Sequence, residues 1–344
     1  MTTNPILHPL NSFYRANRPE LINPRITLDW VNNTGWESEI YAFTLTHGPV
    51  ENRQETSRVL RLLSTGAMAD TRKEFNLLTL LNRAGYPVPQ VFALGEPDDG
   101  LGRPFIIMQR IEGGDFAARF PQSPADDLAP LQQFVTLFRR LHTLDWRPHA
   151  ENPDDFDPPG GPYRHFDRRL AAYERYLLMA GEESLNLVLD WLKAHRGMVS
   201  CARSSVVHGD FHQNNILADA AGNLYVIDWT AGGVSDYRFD LAWTLTLALA
   251  YHGPGFQRLI LDEYQHQSGG PVPALEIFEV IAILRRIGSV MISLGAGAEA
   301  LGMRPEAVDA MRHEREPLGR LYQRLVSLTG LPLPDVADFL EMLF

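Results

Sequence analysis

Asp210, Asn215 and Asp228 stand at intervals of five and thirteen, within Val207-His208-Gly209-Asp210-Phe211-His212-Gln213-Asn214-Asn215 and Val226-Ile227-Asp228-Trp229. A carboxylate that accepts a hydroxyl proton, followed by an amide oxygen and a second carboxylate that hold magnesium, is what moving a nucleotide's γ-phosphate to an alcohol requires. Taken alone, His208-Gly209-Asp210 would read as an Asp in a tight turn; Asn215 and Asp228 at these intervals shift the reading to chemistry. His208, Asp210 and His212 also suggest a metal-dependent hydrolase. Zinc hydrolases need three protein ligands around an open position, and no second His/Asp cluster of matching order stands out.

The elements that must position these groups follow from hydrophobic periodicity. After an irregular or partly helical extension over residues 1–24, β-branched and aromatic runs predict strands at 26–31, 40–45 and 58–63, the first two joined by the polar turn Asn32–Ser38. Apolar residues at helical spacing predict a helix over 69–84 closed by Gly85, and two more strands fall at 91–94 and 105–108. Beyond Glu112-Gly113-Gly114 the pattern turns helical, first over 128–144 and then over 166–180, 183–196, 239–251, 254–267, 273–294, 305–327 and 334–342. Residues 147–163, rich in Pro, Gly and Asp, read as a loop or insert.

His208-Gly209-Asp210 with Asn215, then Ile227-Asp228, resembles the catalytic loop and metal segment of the aminoglycoside phosphotransferase and choline kinase superfamily of small-molecule kinases. Asp236-Tyr237-Arg238-Phe239-Asp240-Leu241-Ala242 is similar to that family's Asp-Pro-x-x-Asp-Leu-Ala segment, and Leu141-His142-Thr143-Leu144-Asp145 to its Leu-His-x-Leu-Asp segment. Gly209 stands where protein kinases carry Arg, and Asp228-Trp229-Thr230 where they carry Asp-Phe-Gly, which points away from protein kinases. The resemblance implies an α+β, two-lobed protein kinase-like fold. A five-stranded antiparallel sheet with one helix would form a nucleotide-binding lobe over 1–112, and a mainly helical catalytic and substrate-binding lobe would cover 113–344.

It also implies roles. Asp210 is the catalytic base, Asn215 and Asp228 hold Mg2+ against the phosphates of ATP or GTP, His208 braces the loop backbone, and Asp240 hydrogen-bonds that backbone. The third strand normally supplies a Lys held by a helix Glu; here Arg61 and Glu74, thirteen apart, occupy those places. The loop over the nucleotide has Gly35 as its only glycine, and the resemblance implies that its amides and Ser38 approach the phosphates. The Gln109 carbonyl and Ile111 amide would face the adenine.

The composition bounds the partners. A net charge of −11, of which −1 falls through Glu112 and −10 beyond it, argues against nucleic acid, whose phosphates need Lys and Arg clusters. It is compatible with a cationic acceptor such as an aminoglycoside or amino alcohol, for which Asp154, Asp155, Asp157, Glu182, Glu183 and Glu341 are candidate contacts. The single Cys201 forms no intramolecular disulfide and reads as a small core side chain. No apolar run approaches the roughly 18 residues of a membrane span, so a cytoplasmic location is the default expectation. A nucleotide-binding regulatory module with little turnover is the reading from another class. The complete set of Asp210, Asn215 and Asp228 counts against it.

Overall fold

The computed structural model describes residues 5–32, 38–121, 126–180, 183–297 and 311–343. In chain order the elements are α1 (Leu7–Asn17), β1 (Arg25–Asn32), β2 (Ser38–His47), β3 (Gln54–Leu63), α2 (Met68–Arg83), β4 (Val91–Gly95), β5 (Phe105–Gln109) and β6 (Gly113–Asp115). The helices α3 (Ala129–Thr143), α4 (Pro153–Phe156), α5 (Arg164–Ala180) and α6 (Glu183–Ala194) follow. Four short strands, β7 (Ser205–Val207), β8 (Ile216–Asp219), β9 (Leu224–Val226) and β10 (Gly233–Ser235), precede α7 (Tyr237–His252), α8 (Pro254–Ser268), α9 (Leu275–Ala296), α10 (Arg315–Thr329) and α11 (Pro334–Met342).

The chain divides into two units, Met1–Gly114 with Ile216–Thr230, and Asp115–Asn215 with Ala231–Phe344. This differs from a division at Glu112 by giving the β8–β9 hairpin to the first unit. The reason is local pairing: β8 lies between β6 and β9, and the Val226 amide donates to the Pro87 carbonyl at 2.9 Å.

The first unit is built on a five-stranded antiparallel sheet in the order β1-β2-β3-β5-β4. Alternation along a strand sends Leu60 and Leu62 of β3 to one face, where they meet Phe43, Phe105 and Ile107. That face is covered by α1, whose Leu10, Phe13 and Tyr14 recur at helical spacing and are buried. The extension is thus partly helical, and its 11-residue helix completes the core. The same alternation turns Arg61 to the opposite face. On α2, Glu74 shares a face with Leu77, Leu78 and Leu81, all buried, so its carboxylate is carried inward with the apolar stripe.

The second unit is helical around α7, which is buried along most of its length. At the start of α7 the Asp236 carboxylate accepts from the Arg238 amide at 3.0 Å, satisfying a donor the first turn leaves open. Tyr237 takes the first helical position, where the related segment has Pro, and the Asp236 cap fixes the entry without it. From the helical core, Phe138 stacks on Phe211 with ring centroids 4.2 Å apart, which anchors the stretch after Asp210. Cys201 is buried, and burial pushes its thiol up to about 11, the state of a packing residue. The 147–163 stretch is mostly irregular but contains the single turn α4. Among the described residues no helix is long and apolar enough to cross a membrane.

Candidate active site

In the first unit, Arg61 commits all three guanidinium nitrogens. Nη1 donates to Glu74 Oε1 at 2.5 Å, Nε to Ser38 Oγ at 3.1 Å, and Nη2 to Asp228 Oδ1 at 3.1 Å and Thr230 Oγ1 at 2.8 Å. The Thr230 hydroxyl in turn donates to Asp228 Oδ1 at 2.9 Å. A lysine ammonium is a single point charge, whereas the planar fork links a strand, a helix and the Asp228 turn at once. The two carboxylates around one guanidinium leave a net negative charge at Asp228, whose side chain is 49% exposed.

The β-branched pair Val226-Ile227 predicts a buried strand running up to Asp228, but β9 ends at Val226 and Asp228 sits in the left-handed region with φ 64°. Asp tolerates this region better than most L-residues, and the turn aims its carboxylate out of the hairpin. Behind it Trp229 is buried, its indole donating to the Val226 carbonyl at 3.0 Å. Gln109 closes β5: its amide donates to Gln90 O at 2.7 Å and its side-chain oxygen accepts from Gln90 N–H at 3.2 Å. Ile111 follows in irregular chain, half-buried. Residues 33–37, including Gly35, lie outside the described residues.

In the second unit, the loop from His208 is held by backbone bonds to buried side chains. Asp240 Oδ2 accepts from the His208 amide at 2.6 Å, and Oδ1 from the Gly209 amide at 2.8 Å. His142 Nε2 lies 3.2 Å from Asp240 Oδ2, and its Nδ1 2.8 Å from the Tyr264 hydroxyl. His208 Nδ1 accepts from the Asp210 amide at 3.2 Å. Asn215 Nδ2 donates to the Asp210 carbonyl at 3.0 Å, which leaves Oδ1 as the amide's free end.

Gly209 has φ 79°, and a Cβ there would lie 2.6 Å from the Ala231 carbonyl oxygen. The departure from His-Arg-Asp is thus a backbone requirement. Left-handed strain costs an L-residue roughly 1–2 kcal/mol, and the clash is with main chain. Gly209→Ala is expected to lower stability by at least that amount and to displace Asp210, read as a drop in the denaturant midpoint together with loss of turnover.

The Asp210 carboxylate is partly open, with 38% of the side chain exposed. Trp243 Nε1 donates to Oδ1 at 2.7 Å, and His212 Nε2 lies 3.4 Å from Oδ2. Burial pushes the Asp210 carboxyl up, but His212, the Trp243 indole and the Arg285 charge outweigh it and hold the group well below the usual carboxylate range. His212 Nε2 also lies 3.2 Å from Asn215 Nδ2, so its tautomer decides which of the two it serves. Among the described residues no group of three His, Cys, Asp or Glu side chains is arranged to hold a metal.

The sequence model of the phosphotransferase enzyme family matches residues 31–278, well over half of the chain. The chain belongs to the phosphotransferase enzyme family. It is 24% identical over 251 residues to an aminoglycoside 3'-phosphotransferase of Streptomyces fradiae, covering 69% of this chain and 88% of that one. It is 26% identical over 209 residues to acyl-CoA dehydrogenase family member 10 of Mus musculus, but covers 57% of this chain and only 18% of that protein's length. A solved structure of a candidate aminoglycoside phosphotransferase from Ralstonia eutropha superimposes with a TM-score of 0.61 at 16% identity, covering 92% of this chain and 98% of that one. The fold is the protein kinase-like fold of these phosphotransferases.

Several residues around this loop do not stand out in the sequence. Trp243 and Thr244 stand three and four positions after Asp240 on α7, so all three face the loop: Asp240 holds His208 and Gly209, Trp243 holds Asp210, and Thr244 Oγ1 donates to Phe211 O at 2.7 Å. Helical spacing from Asp240 would have found them. Arg285, which donates to the Gly209 carbonyl at 2.9 Å from α9, carries no comparable signal. Trp243→Phe removes the indole donor to Asp210 and part of a buried ring. It is expected to lower kcat about 3- to 30-fold, the loss of one hydrogen bond to a charged acceptor, and to lower the unfolding midpoint as well, read by steady-state kinetics beside chemical denaturation.

Proposed function

We propose that the chain transfers the γ-phosphate of ATP or GTP to a hydroxyl group of a small molecule, with Asp210 as the residue that meets the acceptor. The observation that carries this reading is the Asp210 carboxylate, ionised, partly exposed and aimed by Trp243, on a loop whose amides Asp240 holds. A carboxylate held this low is a weak base. It orients the acceptor hydroxyl through a hydrogen bond and takes its proton only as the new oxygen–phosphorus bond forms, which suits a loose transition state needing little early deprotonation.

Asn215 and Asp228 offer an amide and a carboxylate oxygen, the donor type a hard cation prefers. Asn215 fits because its Nδ2 is committed to the loop, and Asp228 because it is half-exposed beside a net negative charge. Bound Mg2+ would neutralise charge on the β- and γ-phosphates. Arg61, fixed by Glu74, is the phosphate-facing cation, with Ser38 beside it, and Gln109 and Ile111 offer backbone groups to the base. A cationic acceptor is favoured by the net charge of −11 alone; the side chains nearest Asp210 favour another class.

The test is magnesium-dependent release of ADP or GDP from the triphosphate by purified protein across aminoglycosides, amino alcohols, sugars and hydroxy acids. Stimulation by one class that disappears in Asp210→Asn supports the kinase. Stimulation that persists undiminished in Asp210→Asn would remove Asp210 from the chemistry. Nucleotide binding without any stimulation would favour the regulatory module.

A further inference from the structure

Beside Asp210 the second unit contains a recess whose walls include Arg169 and Tyr173 of α5, Phe239 and Trp243 of α7, and Phe278 and Arg285 of α9. It encloses about 20 Å3, little more than the space of one water or one carboxylate oxygen, and opens to solvent through a mouth that brings the empty space to about 340 Å3. Gly209 also lines it, and Trp243 forms its wall while donating to Asp210 Oδ1 at 2.7 Å, so the recess and the Asp210 carboxylate share one indole.

The charged side chains on its walls are Arg169, Arg285 and Asp240, two positive and one negative. Arg285 lies 3.8 Å from the Trp243 ring centroid and donates to the Gly209 carbonyl; Arg169 lies 5.3 Å from that of Phe239. Elsewhere in this unit buried or half-buried arginines pair with carboxylates, as Arg164 does with Asp157, Arg238 with Asp236 and Arg324 with Glu279. Among the described residues neither Arg169 nor Arg285 makes such a pair. Asp240 keeps its negative charge there, with both oxygens turned to the His208 and Gly209 amides, so the two guanidinium groups leave a surplus of one positive charge on the walls. Two guanidinium groups over aromatic faces, with donors to spare, are built to receive an anion. They would repel the ammonium groups of an aminoglycoside. The acidic surplus of the chain does not reverse this, because charges beyond about 10 Å are largely screened at physiological ionic strength.

We infer that the acceptor is a hydroxyl compound bearing an anionic group, a carboxylate or a phosphate, which Arg169 and Arg285 bind in this recess while its hydroxyl meets Asp210. This rests on the kinase reading above and names its substrate class. The hydroxyl oxygen bonds to the γ-phosphorus, the bond from that phosphorus to the diphosphate breaks, and the proton passes to Asp210. The shared indole wall keeps hydroxyl and anion a short chain apart.

The experiment measures diphosphate release from MgATP by the full chain with hydroxybutyrate, mandelate, phenyllactate and glycerol phosphate, with the methyl esters of the three acids, and with ethanolamine, choline and kanamycin. At least one anionic compound is expected to stimulate turnover, and for an acid the ester should lose that stimulation; an active hydroxy acid against inactive glycerol phosphate, or the reverse, identifies the anion. Arg169→Met should then raise KM for that compound about 10- to 100-fold, the loss of a charge-assisted contact, with kcat and the KM for ATP within about 3-fold and partial recovery in Arg169→Lys. Stimulation by the amines or by the esters, with the anions inert, leaves the kinase standing and overturns this assignment. So does an Arg169→Met effect confined to the KM for ATP, which would give the arginine to the nucleotide. No stimulation by any compound overturns both readings.

Discussion

Asp210→Asn is expected to reduce kcat about 10²–10⁴-fold while leaving nucleotide affinity within a few fold, because in the proposed reaction the side chain meets the acceptor rather than the triphosphate. Nucleotide affinity from calorimetry and turnover from diphosphate release separate the two. Equal losses in both would mean that the loop had been displaced. The same variant reports on pH. The folded Asp210 carboxyl is held below its unfolded value of about 3.9, so the stability it contributes is fully present above that value and is lost as pH falls through the lower folded one. The stability difference between wild type and Asp210→Asn should therefore be flat from about pH 8 to 5 and close below about pH 4. A difference that already changes near neutrality would place a group other than Asp210 in control.

Arg61→Met is expected to cost about 3–5 kcal/mol of stability, since it leaves Glu74 buried without its 2.5 Å partner, in a pair whose side chains are 9% and 3% exposed. The contact to the half-exposed Asp228 adds little to that figure. The double variant Arg61→Met/Glu74→Leu should recover most of the stability, because replacing a buried ion pair by apolar side chains is often neutral. It should not recover the nucleotide: KM for MgATP is expected to stay about 10- to 100-fold high in single and double variant alike. Chemical denaturation and steady-state kinetics on the three proteins check this. Recovery of both quantities in the double variant would reduce the pair to a structural clamp. Arg61→Lys keeps the charge but not the fork, and is expected to lose the bonds to Ser38 and Thr230 before it loses phosphate binding.

What the sequence determined is what lies close together in the chain. The strands and helices of the first unit follow from alternation and 3.6-residue spacing, which depend only on neighbours. The candidate catalytic loop is legible for the same reason: Gly209 is required by the turn between His208 and Asp210, and Asn215 bonds the Asp210 carbonyl only five residues away. The Arg61–Glu74 pair, thirteen residues apart, could be read because a β-strand and the following helix present predictable faces. Periodicity failed where a single backbone angle mattered. Val226-Ile227 looked like strand, but the φ of 64° at Asp228 ends it, and no spacing encodes that angle.

Tertiary structure alone decided which distant groups share an environment. Trp243 reaches Asp210 across 33 residues, Arg285 reaches Gly209 across 76, and Arg61 reaches Asp228 across 167. These contacts come from helix packing and sheet curvature, which one-dimensional spacing does not carry. Charge shows the difference most clearly. A net charge of −11 weights every carboxylate equally and suggests a cationic partner, whereas the recess itself sets two guanidinium groups, from α5 and α9, against the single carboxylate of Asp240. Electrostatic interaction falls with distance and is screened by salt, so the fold, not the composition, fixes the sign that an acceptor meets.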